Sequence, residues 1–218
     1  MKFNKKLLIS ALFGFSLLSF APSAMADTQS DFDQAMQYYN QENYHQAFSI
    51  FQQLAEQGYA SVQFNLALMY ENGQGVKQDY AQAVKWYKAA AEQGEASAQV
   101  NLGNMYYKGQ GVKQDYAQAV KWYKAAAEQG EAIAQAKLGG MYFDGQGIKQ
   151  DYAQAAKWYK AAAEQGYAKG QFALGGMYKF GLGVPQNDQL AKEWVGKACN
   201  NGNQLACDQY RELNELGK

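Results

Sequence analysis

Tryptophan stands at Trp86, Trp122, Trp158 and Trp194, each 36 residues after the last, and glycine keeps the same step at Gly58, Gly94, Gly130, Gly166 and Gly202. The block Asp79–Gly94, DYAQAVKWYKAAAEQG, recurs unchanged at Asp115–Gly130, and at Asp151–Gly166 with Ala156 replacing valine. Self-similarity at a fixed step of this length marks a repeat array, so the chain has to fold as one small unit copied along its length.

Each unit reads as two helices. Tyr80, Ala83, Trp86, Tyr87 and Ala90 are spaced by threes and fours, which lines one face of an α-helix. Asp79 precedes that run with Gln82 three residues on, a capping-box pattern repeated by Asp115 with Gln118 and Asp151 with Gln154. Gly94 and its equivalents supply the left-handed residue that commonly ends a helix. In the other half of a unit, Ala98, Leu102, Met105 and Tyr106 keep the helical spacing, and Gly103 leaves room for a close neighbour. Between the halves lies Gly109-Gln110-Gly111-Val112, repeated at 73–76, 145–148 and 181–184. Phosphate-binding glycine loops follow a strand and carry a third glycine or a Lys-Ser/Thr pair, whereas these follow a helix, so they read as joints. A helix pair this short cannot bury its apolar face alone, and stacking pairs makes the core continuous. The fold class expected is all-α, an α/α solenoid of about five helix pairs plus a C-terminal capping helix.

The N-terminus stands apart. Lys2, Lys5 and Lys6 precede an apolar run from Leu7 to Phe20, and Ala24-Met25-Ala26 is a small-x-small cleavage pattern, so residues 1–26 read as a signal peptide with Asp27 as mature start. Roughly fourteen apolar residues fall short of the about 20 that span a bilayer. No later stretch is long or apolar enough either, so no integral membrane span is expected in the mature chain. Removing residues 1–26 takes three lysines and no acid, leaving 17 basic and 20 acidic side chains, a balance of −3. That mixed balance without a basic block argues against nucleic acid as partner.

The run Leu102-Gly103-x-x-Tyr106-x-x-Gly109-x-Gly111-Val112-x-x-Asp115-Tyr116-x-x-Ala119-x-x-Trp122-Tyr123-x-x-Ala126-Ala127-Glu128-Gln129-Gly130 resembles the Sel1-like repeat. That family belongs to the tetratricopeptide-like helix-pair solenoids. The resemblance covers residues about 60 to 202, and four units of 36 residues are assigned to 59–202. It implies a right-handed superhelix whose concave side is lined by the first helix of each pair, and adaptor or scaffold roles in the bacterial envelope or at a host interface. Residues 27–58 look like a tetratricopeptide-like N-terminal cap, with Asn40 to Glu42 replacing the glycine loop and Ile50 in the tryptophan slot. Residues 203–218 read as a C-terminal capping helix, preceded by a unit with Asn187 in place of the capping aspartate.

Cys199 and Cys207 are the two cysteines of the chain. Their spacing resembles the cysteine-rich, secreted branch of the Sel1-like family, and that resemblance implies a disulfide within the last helix hairpin. Two thiolates without a local histidine fall short of the four ligands of a structural metal site, and a redox pair of the Cys-x-x-Cys kind is absent. No metal or cofactor is expected.

No catalytic constellation stands out. The single histidine, His45, reads as a solvated side chain, and Asp79, Asp115 and Asp151 share one structural slot as helix caps. The rival function is a β-lactam- or peptidoglycan-acting enzyme of the cysteine-rich type, yet the Ser-x-x-Lys motif of serine β-lactamases occurs nowhere. Binding is expected on the first helices, because the second helices are near-copies. Their variable slots hold Ser61, Ser97, Ile133 and Lys169, then Asn65, Asn101, Lys137 and Ala173, then Leu68, Asn104, Gly140 and Gly176, with a further slot of Glu71, Tyr107, Phe143 and Lys179. From these, Asn65, Leu68, Asn101, Asn104, Tyr107, Lys137, Phe143 and Lys179 are the expected partner-binding residues, with neutral drift on a solvated face as the bland alternative. The function expected is a monomeric, exported interaction module, periplasmic or secreted, holding a protein or peptide. An envelope adaptor, a host-interaction factor and a toxin-immunity protein all fit that description.

Overall fold

In a computed structural model, the described residues run from 22 to 215, with side chains over 28–212. The expected signal peptide lies outside them except for residues 22–26, which open the first helix. Eleven helices and no strand occur among the described residues: α1 Pro22–Asn40, α2 Tyr44–Ala55, α3 Ala60–Asn72, α4 Tyr80–Glu92, α5 Ala96–Lys108, α6 Tyr116–Glu128, α7 Ala132–Asp144, α8 Tyr152–Glu164, α9 Ala168–Phe180, α10 Asp188–Asn200 and α11 Gln204–Glu215. The chain divides between Gln114 and Asp115 into two compact units, within the loop that joins α5 to α6.

In the first unit, Phe32 and Ala35 of α1 pack with Ala47, Phe51 and Leu54 of α2 and with Val62, Leu66 and Met69 of α3. The α1–α2 turn has no glycine loop; Glu42 takes the positive φ, at 64°. In the second unit, Ala155 and Ala156 of α8 meet Met177 of α9, while Val195 and Ala198 of α10 meet Ala206 of α11. Gly139 explains how close these helices come: a Cβ there would lie 2.9 Å from the Tyr159 ring, and one at Gly175 would lie 2.8 Å from Val195.

The second helices start as the sequence predicts, with one correction. Asp79 accepts hydrogen bonds from the backbone N–H groups of Ala81 and Gln82 at 2.9 and 3.0 Å, and Asp115, Asp151 and Asn187 cap their helices in the same way. The reciprocal half of a capping box would engage the N–H of Asp79, but that group donates to the Tyr70 carbonyl at 3.0 Å. Asp151 donates likewise to Tyr142 and Asn187 to Tyr178. Each such bond satisfies one free N–H at a helix start and one free C=O at the preceding helix end. Gly94 ends α4 in a Schellman arrangement, with Glu95 N–H donating to Ala90 and Gly94 N–H to Ala91.

A second, buried set of bonds ties successive repeats together. Gln63 Nε2 donates to the Ala55 carbonyl at 3.2 Å, and Gln99 to Ala91, Gln135 to Ala127 and Gln171 to Ala163 repeat the bond at 3.1–3.3 Å. Three of these glutamines also hold a second partner: Gln63 Oε1 accepts from Gln93, Gln135 from Gln165, and Gln171 from Asn201. In each case the donor and its acceptor carbonyl are eight residues apart. Cys199 and Cys207 are eight apart too, one step of 36 beyond Ala163 and Gln171, and they form a disulfide with an S–S distance of 2.04 Å. The covalent bridge therefore occupies the register of the glutamine rung.

Gln135→Leu should cost about 1–3 kcal/mol, because it removes two hydrogen bonds worth about 0.5–1.5 kcal/mol each, the buried one to the Ala127 carbonyl and the one accepted from Gln165. Urea unfolding checks this. A loss within about 0.5 kcal/mol, as for ordinary surface changes, would remove the rung from the stabilising contacts.

Candidate binding surface

Along each first helix, residues at steps of four, three and four form the face turned away from the second helices. On α5 this face is Ser97, Asn101, Asn104 and Lys108, all half-buried or exposed, while Ala98, Leu102, Gly103 and Met105 are buried behind it. On α7 it is Ile133, Lys137, Gly140 and Asp144, and on α9 Lys169, Ala173, Gly176 and Phe180. The face expected from the variable slots is thus solvent-facing on these three helices. On α3 the expectation fails: Ser61 is buried, and Asn65 is only 3% exposed, with its Oδ1 lacking a hydrogen-bond partner. Asn65 offers a partner no surface.

The remaining expected residues differ in what they offer. Leu68 and Asn104 are half-buried, and Tyr107 is 36% exposed. Lys137 holds its ammonium 5.4 Å from the centre of the Tyr123 ring, and Lys179 stands 5.6 Å from the Phe180 ring. Both place the ammonium over a ring face, within reach of a cation–π contact. Phe143 is committed to packing, its ring 5.2 Å from Tyr152 at the start of α8. The structure adds a slot that the sequence reading passed over: Asn72, Lys108, Asp144 and Phe180, one turn beyond Leu68, Asn104, Gly140 and Gly176. Phe180 is 67% exposed, among the largest apolar exposures described. The signal was available, since the slot falls four residues after one already on the face and its residue types vary as widely.

Tyrosines of the second helices reach the same face from below. Tyr87 of α4 is fully buried; its hydroxyl donates to Glu71 of α3 at 2.5 Å and accepts from Asn101 Nδ2 of α5 at 3.1 Å. Burial first, and then the Glu71 carboxylate, push the Tyr87 hydroxyl well above its ordinary pKa, against the pull of Asn101. Asn101 is consequently part of a three-helix polar network as well as of the surface. In the second unit the slots of Glu71 and Asn101 hold Phe143 and Ala173, which cannot bond the equivalent Tyr159. Burial, with a smaller push from Asp144, raises Tyr159 to about 12. A hydroxyl held neutral in this way is a hydrogen-bonding group, with no tendency to act as a base near neutral pH.

Among the described residues no group of three or more His, Cys, Asp or Glu side chains could hold a metal ion, and no helix is long and apolar enough to cross a membrane. His45 is exposed on α2.

Comparisons with known proteins bear on the same architecture. A protective antigen present in uropathogenic Escherichia coli strains, whose crystal structure displays an SLR fold, superposes with a TM-score of 0.84 at 36% identity. The match covers 89% of this chain and 43% of the antigen, so the chain spans less than half of that protein's length. A Sel1 repeat protein from Oxalobacter formigenes gives a TM-score of 0.83 at 32% identity, covering 90% of this chain and 82% of its own. A Klebsiella pneumoniae Sel1 repeat protein shares the fold at 26% identity and a TM-score of 0.53, over 88% of this chain and 96% of its own. No curated protein matches the chain. The Sel1 repeat matches at residues 40–59, 60–95, 96–131, 132–167 and 168–203, so the first match takes in α2, which the sequence reading assigned to a separate cap. The chain therefore belongs to the Sel1 repeat family, whose members generally serve as protein-interaction scaffolds.

Proposed function

We propose that this protein is an exported interaction module that holds a protein or peptide partner on the outward face of its first helices, in the periplasm or outside the cell. The carrying observation is a contrast within the molecule. The outer surface of α4, α6 and α8 is monotonous, whereas the faces of α5, α7 and α9 are accessible and chemically different from one another. Array proteins place recognition on such a face because side chains on packed helices lose little freedom on binding. Each unit offers its own anchors: exposed Tyr107 in the first, of a residue type that dominates interface energetics, and the Lys137 cation and exposed Phe180 in the second. Export rests on the basic n-region, apolar run and Ala-x-Ala site of residues 1–26.

The test is affinity capture from periplasm and culture supernatant with the chain beginning at Asp27, beside a Tyr107→Ala, Lys137→Ala, Phe180→Ala variant. The variant should retain the partner about 10–100-fold less well, as the loss of two or three anchors predicts, with its melting temperature unchanged. Equal capture by both proteins would show that the partner docks elsewhere.

A further inference from the structure

The last helix is held differently from every first helix before it. In α3, α5, α7 and α9, several buried side chains and a glutamine rung fix the helix to the second helix of the preceding repeat. In α11 the described residues include one buried side chain, Ala206, supported by Tyr210 lying against Gly196, where a Cβ would come within 2.9 Å of the ring. Leu205 is exposed. The rung position is taken by Cys207, whose short side chain cannot reach a carbonyl as a glutamine amide does. The first turn of α11 is tied to the end of α10 by the bond to Cys199, beside the Asn203 N–H donated to the Ala198 carbonyl and the packing of Ala206 with Val195 and Ala198. Both cysteines are half-buried rather than enclosed, so a small thiolate has access to the sulfurs.

We propose that the Cys199–Cys207 bridge is a redox latch: α11 is docked on α10 while the bridge is closed and released when a dithiol reductant opens it. The exchange is balanced. A thiolate of the dithiol attacks one sulfur to give a mixed disulfide and free the other cysteine; its second thiol then displaces the remaining cysteine, leaving two protein thiols and an oxidised reductant. Release uncovers Val195 and Ala198 of α10 and the Phe172 side chain packed with them. The helices before α10 keep their amide rungs in either state, so the change is confined to the end of the chain. In reducing surroundings such bonds do not persist and in oxidising ones they do, so the latch reports which of the two the chain occupies.

Hydrogen exchange of the purified chain tests this, read over residues 204–212 and over α6 to α9, with and without dithiothreitol. Exchange in α11 should accelerate by about tenfold or more on reduction while α6 to α9 stay as protected as before. A Cys199→Ala, Cys207→Gln variant restores the amide rung in the same register, and its α11 should stay protected with or without dithiothreitol. Equal α11 protection in reduced and oxidised wild-type protein overturns the latch. So does a loss of protection that spreads through α6 to α9, since the bridge would then hold the fold and not the cap. An unprotected α11 in the Ala/Gln variant, with or without dithiothreitol, overturns the equivalence of bridge and rung on which the latch rests.

Discussion

Gly111→Ala should lower the unfolding free energy by about 2–5 kcal/mol, a large effect for the addition of one methyl group. Two costs combine. Gly111 has a φ of +69°, where an L-residue is strained by roughly 1–2 kcal/mol. Its Cβ would also lie 2.2 Å from the Tyr80 carbonyl oxygen and 2.3 Å from the carbonyl carbon. Those atoms are backbone in the first turn of α4, so no rotamer change relieves the clash, and forcing the packing typically adds about 1–3 kcal/mol. Gly75, Gly147 and Gly183 make the same approach to Tyr44, Tyr116 and Tyr152. Gly94→Ala is the control: its φ is +92°, yet nothing lies within 4 Å of the added methyl. Urea unfolding should show Gly94→Ala losing about 1–2 kcal/mol, the conformational part alone. Similar losses in both variants would mean that the loop's contact with α4 contributes nothing.

Trp122→Ala should cost about 3–5 kcal/mol, as large aromatic deletions in cores do. Trp122 is 7% exposed, whereas Trp86, Trp158 and Trp194 are only half-buried despite occupying the same slot. Trp158→Ala should therefore cost about half as much. The indole N–H of Trp122 is buried without a hydrogen-bond partner, which sets Trp122→Phe apart from the alanine change. Phenylalanine loses volume but removes a stranded donor, a group that costs about 1–3 kcal/mol to leave unpaired, so the net loss should be about 1–2 kcal/mol. Melting curves decide the order: alanine at 122 lowest, then alanine at 158 and phenylalanine at 122. Equal melting points for the two alanine variants would refute the difference in depth.

The sequence made helix number, ends and pairing readable because each is written locally and then repeated. Gly73 and Gly94 mark helix ends by their positive φ and Asp79 marks a start by its capping side chain; at least three further glycines repeat each end, and Asp115, Asp151 and Asn187 repeat the start. Depth was harder to read. Helical spacing assigns Trp86 and Tyr87 to one face, yet Tyr87 is fully buried while Trp86 spreads its ring towards the surface with Lys85 stacked 4.7 Å from its centre. Adjacent residues differ by 100° around a helix, so which of two neighbours points straight inward depends on the tilt of the packed helix, and no single-helix pattern encodes that tilt. The glutamine rungs escaped notice for the opposite reason. Gln63, Gln99, Gln135 and Gln171 look like ordinary polar surface, although their constancy beside three varying slots was a visible sign of burial. On the candidate surface, the variable slots did locate the exposed face of α5, α7 and α9. They failed at Asn65, which is only 3% exposed although its equivalents on α5, α7 and α9 are half-buried.

The near-identity of α4, α6 and α8 has a consequence for how the chain assembles. Three interchangeable docking partners mean that a first helix meets almost the same surface at a wrong position as at its own. Chain connectivity, through loops that from α3 onward alternate between seven and three residues, is what favours the correct neighbour within one molecule. Between molecules that advantage disappears, so at high concentration a helix from one chain competes on nearly equal terms for the slot of another. Such a protein is limited less by the depth of its native state than by the bookkeeping of register during folding. The divergent first helices, besides carrying the recognition surface, are the part of the chain that distinguishes one register from the next.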